Sequence, residues 1–290
     1  MLIQQLQAAA IMKCLALLLV AALVGSVEGA QPLTLPLWEG SPPGSIANAG
    51  VEKAFNDVTA MNVSVPAMTV YLPPREKATG LAIVYCSGGS YNKVSHVSDA
   101  VGNADYFLAQ GISLIVVKYR TAPPSSDWDA ALSDARRAMR IVKHQAKEWN
   151  IDPTRIGMLG GSAGAHLILR LATSEQQGHP ESDDLVERVD CRPAFVGLLC
   201  PWPGKSKVSD FAITGDTPPM FLCSARDDTV APTDFAQGIA SASAHARLWI
   251  IDKGGHAAFR LGNQGEGAQW AARFTDWIKQ SAFNPPTIKR

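Results

Sequence analysis

Short apolar segments alternate with longer amphipathic segments along most of this chain. The apolar segments have the length of strands and occupy residues 80–86, 112–120, 155–160, 194–200, 220–225 and 247–252. Segments with apolar residues at helical spacing occupy residues 99–111, 127–150, 163–173, 232–244 and 267–280. Strands that alternate with helices predict an α/β fold, with a mostly parallel central sheet and helices on both of its faces.

The N-terminal segment follows a different pattern. The sequence MKCLALLLVAALVGSVEGA begins at Met12, which is an alternative start, and has one lysine, a short apolar run and then small residues. This plan is typical of a cleavable secretory signal, because the run is too short to cross a bilayer. We therefore expect residues 1–30 to be a signal peptide, cleaved near Gly29 or Ala30, and the protein to be secreted or periplasmic. An uncleaved N-terminal anchor is the alternative.

The remaining residues, 31–290, contain no stretch that resembles a linker, which predicts a single domain. Lys and Arg together number 26, as do Asp and Glu, so the formal net charge is zero. This balance argues against nucleic acid as a partner, and against a membrane once the signal is removed. The polar segment 175–193 is expected to be a surface loop whose charged side chains face solvent.

Four cysteines remain after the expected cleavage: Cys86, Cys191, Cys200 and Cys223. In an exported chain they could form disulfides in more than one pairing. Cys86 and Cys223 lie in predicted strands, where a cysteine also serves as a small buried apolar residue. The cysteines and histidines show no metal-ligand spacing, so we expect neither a metal nor another cofactor.

The sequence RIGMLGGSAGAHL places one serine between a predicted strand and a predicted helix. Gly160, Ser162 and Gly164 form the Gly-x-Ser-x-Gly pattern, whose glycines permit a turn that presents the serine hydroxyl. The helix that follows adds a positive dipole end near that hydroxyl. The pattern indicates a nucleophilic serine. The alternative is a tight turn in which the serine only caps the helix, since such a turn can have the same sequence.

A serine nucleophile needs a histidine base and a carboxylate that orients it, in the chain order serine, acid, histidine. His256 follows the last predicted strand on a glycine-rich loop, and is the predicted base. Asp227 and Asp228 both follow the strand 220–225. Asp228 is the preferred acid, and Asp227 remains an alternative that would otherwise be a solvated or capping neighbour. The remaining histidines lie in helices or polar segments.

The oxyanion of an acyl-transfer intermediate needs backbone N–H donors. One is predicted at Ala163, directly after the serine. The others are predicted at Gly89 and Ser90, in the sequence YCSGGSY that follows the strand 80–86. An ordinary Gly-Gly turn is the alternative for that loop.

Several segments in the same order resemble the α/β-hydrolase esterases, and most closely the bacterial secreted acetylxylan-esterase-like and hormone-sensitive-lipase-like carboxylesterases. They are SGGSY, VVKYRTAP, DAALSDARRAMRIVK, NIDPTRIGMLGGSAGAHL, PPMFLCSARDDTVAP and GGHAAF. The resemblance covers residues 75–280. It implies that Ser162 is the nucleophile, Asp228 the acid and His256 the base. The chain departs from the family at two positions of the glycine motif. Ser87 stands where the family has proline or histidine, and Ser90 stands where it has the third glycine.

The resemblance implies an α/β-hydrolase fold and a serine carboxylic-ester hydrolase that acts on a small-molecule or carbohydrate ester. The segment 201–219 is shorter than the insertion of many relatives, which implies a short cap and an open site. An open site suits a short acyl group, such as acetyl, on a bulky carbohydrate such as xylan. The alternatives are a serine peptidase of the prolyl-oligopeptidase type and a binding protein with an inactive hydrolase site.

Overall fold

A computed structural model of the protein describes residues 31–44, 50–56, 59–95, 98–121 and 128–281. The expected signal peptide, residues 1–30, lies outside the described residues, so the predicted domain division stays a prediction. The strands are β1 (Leu33–Pro36), β2 (Lys53–Asn56), β3 (Thr59–Met61), β4 (Ala67–Tyr71), β5 (Ala82–Cys86), β6 (Lys93–Val94), β7 (Ser113–Lys118), β8 (Ile156–Gly161), β9 (Val196–Leu199), β10 (Met220–Ala225) and β11 (Ala246–Ile251). The helices are α1 (Ser98–Ala109), α2 (Trp128–His144), α3 (Ala163–Ala172), α4 (Thr233–Ala242) and α5 (Trp270–Ser281).

Eight of the strands form one sheet in the order β1-β4-β7-β5-β8-β9-β10-β11. Within this order, the six neighbouring strands β7, β5, β8, β9, β10 and β11 are parallel to one another. Strand β4 pairs antiparallel with both β7 and β1. A separate antiparallel sheet contains β2, β3 and β6. The prediction of a mostly parallel central sheet is confirmed.

Alternate residues of the central strands face two separate hydrophobic cores. In β5, Val84 packs in the core that also contains buried residues of α2, α3 and α4. Its neighbours Ile83 and Tyr85 pack in the core on the other face, together with buried residues of α1 and α5. Because both faces are covered, the strands can be apolar on both sides, which is why they stand out in the sequence as short apolar segments. The predicted helices on both faces are confirmed.

The neighbouring strands β5, β8 and β9 end in register at the carboxyl edge of the sheet. Cys86, the last residue of β5, lies opposite Gly160 of β8. Gly161 of β8 lies opposite Leu199 of β9. The loops that follow these strands therefore leave the sheet side by side. In parallel sheets this carboxyl edge is where ligands bind, and the chain order reverses here, since β5 lies between β7 and β8.

Several elements differ from the sequence prediction. The strands β2, β3 and β6 of the separate sheet were not predicted. The proline-rich lead-in contains β1, which pairs with β4, and neither strand was predicted. Leu33 and Leu35 do alternate with other residues, but the run is short and mostly exposed and ends in a proline, which disfavours a strand assignment from sequence. The helix predicted over residues 127–150 ends at His144 and continues as turns to Asn150, which has a φ of 55°.

The segment 175–193 lies at the surface as predicted, but part of its charge is paired with α2. Glu187 accepts hydrogen bonds from Arg137 and Arg140, whose side chains are buried. Lys143 pairs with Asp190. The segment is therefore at the surface as predicted, and Glu187 in addition pairs with buried arginines of α2, which the sequence pattern did not indicate.

No helix among the described residues combines the length and apolar character that crossing a bilayer would require. The four predicted mature cysteines are all described. Each is buried and carries a free thiol. The predicted role of Cys86 and Cys223 as small buried residues in strands agrees with their positions in β5 and β10.

A buried ion pair fixes α2 against the end of β7. Asp134 of α2 accepts hydrogen bonds from the backbone N–H and the guanidinium of Arg120, and its side chain is fully buried. It also accepts a hydrogen bond from the indole N–H of Trp38 at 2.8 Å. The carboxylate thus joins the lead-in, the strand edge and the helix, and its charge balances that of Arg120.

We expect Asp134→Asn to lower the free energy of unfolding by roughly 3–5 kcal/mol, because the change leaves the buried Arg120 charge without a counter-charge. Urea unfolding followed by circular dichroism measures the loss. The matched control is Asp252→Asn, which breaks the exposed pair of Asp252 with Arg226. Such exposed pairs contribute little, so the control should unfold close to the wild type. Equal losses in the two variants would contradict the assignment of the buried pair as a fold determinant.

Candidate active site

Ser162 occupies a sharp turn between β8 and α3. Its backbone has a φ of 54° and a ψ of −121°, a conformation that residues other than glycine rarely adopt. The N–H of Ser162 donates to the carbonyl of Leu199 at 2.9 Å, and its carbonyl accepts from the N–H of His166 at 3.1 Å. These bonds hold a strained residue in place, so that its hydroxyl projects from the carboxyl edge of the sheet.

The two glycines of the motif are explained by crowding. A Cβ at Gly160 would lie 2.7 Å from the carbonyl oxygen of Cys86 in the neighbouring strand. A Cβ at Gly164 would overlap the same oxygen. Because β5 and the first turn of α3 pass so closely, the pattern needs hydrogen at both positions.

His256 lies within hydrogen-bond distance of the serine. It belongs to a 3-10 turn, Gly255–Ala257, in the loop that follows β11. Its Nε2 is 2.9 Å from Oγ of Ser162, and its Nδ1 is 2.8 Å from Oδ2 of Asp228. With the ring proton on Nδ1, the histidine donates to the carboxylate and its Nε2 accepts from the serine hydroxyl. The structure thus brings together the three residues that the sequence singled out.

The two neighbouring aspartates after β10 have different partners. The Asp228 side chain is fully buried, and its Oδ1 accepts from the N–H groups of Val230 and Ala231 at 2.8 and 2.9 Å. Asp227 is exposed and accepts instead from the N–H groups of Gly254 and Gly255. These two bonds lower the pKa of Asp227. Asp227 therefore caps the histidine loop, while Asp228 contacts the ring itself.

The glycine-rich loop after β5 approaches the serine closely. A Cβ at Gly88 would lie 3.0 Å from Cβ of Ser162. Gly89 has a φ of 138° and Ser90 a φ of 54°, so the loop turns through conformations that suit glycine. Gly89 and Ser90 line the same cavity as Ser162, and Ala163 is the buried first residue of α3. The predicted donors thus surround the serine from two loops.

An open cavity of about 400 Å³ contains Ser162 and His256 in its lining. One part of its wall is apolar and comprises Tyr85, Leu199, Cys200, Val230, Phe259, Leu261 and Trp270. Another part is polar and comprises Lys93, Ser95, Asn103 and Arg260. The segment between β9 and β10 has no helix except the 3-10 turn Val208–Asp210, which agrees with the predicted short cap. A ligand can therefore reach the serine while part of it stays in solvent.

Cys200 is a neighbour of the site that the sequence analysis did not select. Its sulfur, a ring nitrogen of His256 and a carboxylate oxygen of Asp228 lie within 4.8 Å of one another, the spacing of a possible metal site. Nδ1 of His256 already shares a hydrogen bond with Oδ2 of Asp228. With the proton on Nδ1, that nitrogen has no lone pair left for a metal ion. Burial also raises the pKa of the Cys200 thiol far above its usual value, which disfavours the thiolate that binds metals. The donor set therefore fits a hydrogen-bonded Asp–His pair better than a metal.

His166 and Tyr91 form a second buried hydrogen bond near the serine, and the sequence analysis gave neither a role at the site. Nδ1 of His166 is 2.8 Å from the Tyr91 hydroxyl, and both residues are fully buried. Burial lowers the pKa of His166 to about 4, so the ring is neutral near pH 7. A histidine one turn after the serine motif, with an aromatic residue after the glycine loop, was the available signal.

This chain is similar to a known protein family and to several esterases. Residues 68–196 match the family model described as BD-FAE. An acetylxylan esterase from Xylanibacter ruminicola is 30% identical over 213 residues, which are 65% of this chain and 43% of that protein. The chain spans less than half the length of the curated relatives that it matches first. The BD-FAE match contains Ser162 and ends before Asp228 and His256.

Two solved structures share the fold of this chain. The crystal structure of an acetyl ester-xyloside bifunctional hydrolase from Caldicellulosiruptor lactoaceticus matches with a TM-score of 0.66 and 27% identity, over 88% of this chain and 98% of that one. The chain has the α/β-hydrolase fold. A thermophilic esterase from Thermogutta terrifontis shares the fold at a TM-score of 0.62 and 20% identity, over 82% of this chain and 96% of that one. The curated relative from Xylanibacter ruminicola and both structural matches are described as esterases or ester hydrolases.

The different partners of the two aspartates generate a prediction. We expect Asp228→Asn to lower kcat for an aryl acetate by about 10⁴-fold, because the amide no longer holds the required tautomer of His256. Asp227→Asn keeps a carbonyl oxygen for only one of the two glycine amides, but Asp227 does not contact the ring, so the change should cause a much smaller loss. Steady-state kinetics on 4-nitrophenyl acetate compares the two matched variants. A larger loss in Asp227→Asn would reverse the assignment of the acid.

Proposed function

We propose that this α/β hydrolase cleaves carboxylic esters with Ser162 as nucleophile, His256 as base and Asp228 as the acid that orients the histidine. The observation that carries the proposal is the continuous hydrogen-bonded chain of these three side chains, with distances of 2.9 and 2.8 Å, on the wall of an open cavity. A serine hydroxyl that donates to an oriented imidazole is an activated nucleophile.

The proposed reaction has two halves. Oγ of Ser162 attacks the ester carbonyl carbon while Nε2 of His256 takes the hydroxyl proton, and the carbonyl oxygen becomes an oxyanion. The bond to the alcohol oxygen then breaks, and the alcohol leaves with the proton from Nε2. A water molecule repeats the sequence on the acyl-enzyme, with its proton going to Nε2 and then to Oγ. The products are the free acid and the regenerated serine.

The backbone supports the charged steps of this scheme. The N–H groups of Gly89, Ser90 and Ala163 are the proposed donors to the oxyanion, because these residues border the serine on two sides. In other serine hydrolases a single donor of this kind contributes about 3 kcal/mol to the barrier. The buried carboxylate of Asp228 stabilises the imidazolium that forms when the proton moves, and the amides of Val230 and Ala231 fix that carboxylate.

The proposed substrate is a short acyl ester on a carbohydrate, with acetylated xylan as the candidate. Its support comes from two sources. The relative from Xylanibacter ruminicola is described as an acetylxylan esterase, and the structural match from Caldicellulosiruptor lactoaceticus as an acetyl ester-xyloside hydrolase. The cavity is open and has both polar and apolar walls, which suits a sugar that stays partly in solvent while its acetyl group reaches Ser162.

Export is also proposed, since the signal-like pattern of residues 1–30 precedes the hydrolase. Expression of the full chain in a bacterial host, followed by fractionation and N-terminal sequencing, tests it. A mature protein that begins near residue 31 outside the cytoplasm supports the proposal. A full-length protein in the cytoplasm overturns it.

We expect Ser162→Ala to lower the rate of 4-nitrophenyl acetate hydrolysis by about 10⁵-fold or more, because the nucleophile is lost. The fold should be preserved, since alanine adds no atom to the turn. The matched control is Ser241→Ala at an exposed position of α4, which should keep full activity. Hydrolysis that persists in Ser162→Ala would contradict the proposed nucleophile.

The substrate class has its own experiment. Acetate release from acetylated xylan is measured for the wild type and for Ser162→Ala, and we expect release from the wild type alone. Activity on 4-nitrophenyl acetate without release from xylan would keep the ester hydrolase and reject the xylan substrate. Cleavage of a peptide substrate at a higher kcat/KM would favour a peptidase, and failure to react with a fluorophosphonate would favour an inactive binding protein.

A further inference from the structure

The glycine-rich loop that carries the proposed oxyanion donors is strained. Gly89, Ser90 and Tyr91 have successive φ values of 138°, 54° and 59°. For residues other than glycine, a positive φ is strained and persists only where surrounding contacts enforce it. Something outside the loop must therefore stabilise this conformation.

The Tyr91 side chain supplies those contacts. Its exposed fraction is only 1%, and its ring stacks on the indole of Trp128 with the centroids 5.2 Å apart. Its hydroxyl is hydrogen bonded to Nδ1 of His166 at 2.8 Å. The ring of His166 also meets Trp128 edge-on, at 4.8 Å between the ring centroids. Tyr91 is thus fixed in two ways, by stacking and by a directional bond.

His166 is rigidly connected to the nucleophile. It lies one helical turn after Ser162, and its N–H donates to the Ser162 carbonyl. Its other ring nitrogen, Nε2, is 3.1 Å from Oγ of Ser206, in the segment between β9 and β10. A neutral ring has one donor and one acceptor nitrogen, and both are used. His166 is therefore bound to Tyr91, to the helix of the nucleophile and to the short cap.

We propose that Tyr91 and His166 are positioning residues that hold the Gly89–Ser90 donors at a fixed distance from Oγ of Ser162. The inference rests on the proposed ester hydrolysis and adds to it a pair that contacts no substrate. Neither residue lines the cavity, and both act through the backbone of the loop. Because the donors matter most when the oxyanion forms, a displaced loop should impair the transition state more than substrate binding.

We expect Tyr91→Phe, which keeps the stacked ring and removes only the hydroxyl, to lower kcat for 4-nitrophenyl acetate by about tenfold with an unchanged KM. An aryl trifluoromethyl ketone, which forms a tetrahedral oxyanion adduct with the serine, should bind more weakly by the same factor. The matched control is Tyr106→Phe, which removes a tyrosine hydroxyl that bonds to Thr275 away from the site. This control should match the wild type in both measurements.

A double-mutant cycle tests the bond itself. His166→Ala should lower kcat at least as much as Tyr91→Phe, and adding Tyr91→Phe to it should cause little further loss, because the hydroxyl already lacks its partner. If His166→Ala does not fold, the comparison of kcat with ketone affinity in Tyr91→Phe still decides the question.

The outcomes separate the inference from the function on which it rests. A wild type that hydrolyses no ester overturns both. An active wild type with a Tyr91→Phe variant that keeps its kcat and its ketone affinity overturns the positioning role and leaves the ester hydrolase intact. A loss that appears in KM alone also overturns it, since that pattern indicates a change in substrate binding.

Discussion

The parallel pairing of β5 with β8 is the constraint on which the site depends. It places Cys86 opposite Gly160, so the loops that leave both strands must share one small space. Backbone crowding follows directly, because the Cys86 carbonyl lies against Gly160 and Gly164, and Gly88 lies against Ser162. Gly88, Gly160 and Gly164 are thus consequences of one strand pairing. That pairing also brings the loop of the proposed donors beside the proposed nucleophile.

The strain at this junction is balanced by hydrogen bonds and packing nearby. Ser162 has a positive φ, and its N–H and carbonyl groups bond to Leu199 and His166. The loop after β5 has a similar anchor in the buried ring of Tyr91. A strained turn can persist where the surrounding structure specifies it in several ways, and such turns concentrate at functional sites. The rigid scaffold therefore supplies a preorganised geometry around the serine, which is what acyl transfer needs.

The two adjacent aspartates show how one short loop separates two tasks. Asp228 is turned inward and bonds to the ring of His256, while Asp227 stays in solvent and bonds to the glycines that precede the ring. One carboxylate sets the direction of the imidazole, and the other sets the shape of the loop that carries it.

The sequence by itself determined the fold class, because apolar strands of a doubly covered sheet differ visibly from amphipathic helices. It also singled out Ser162, Asp228 and His256, since the chemistry requires those residue types after successive strands. The tertiary structure decided what depends on pairing between distant segments. Strand β1 is a four-residue run that ends in a proline, too weak to mark a strand by itself, and it is defined by its pairing with β4. Arg137 and Arg140 meet Glu187 only after folding. The partners of Tyr91, His166 and Asp227 were likewise invisible in the sequence, because a hydrogen bond depends on positions in space that local patterns do not encode.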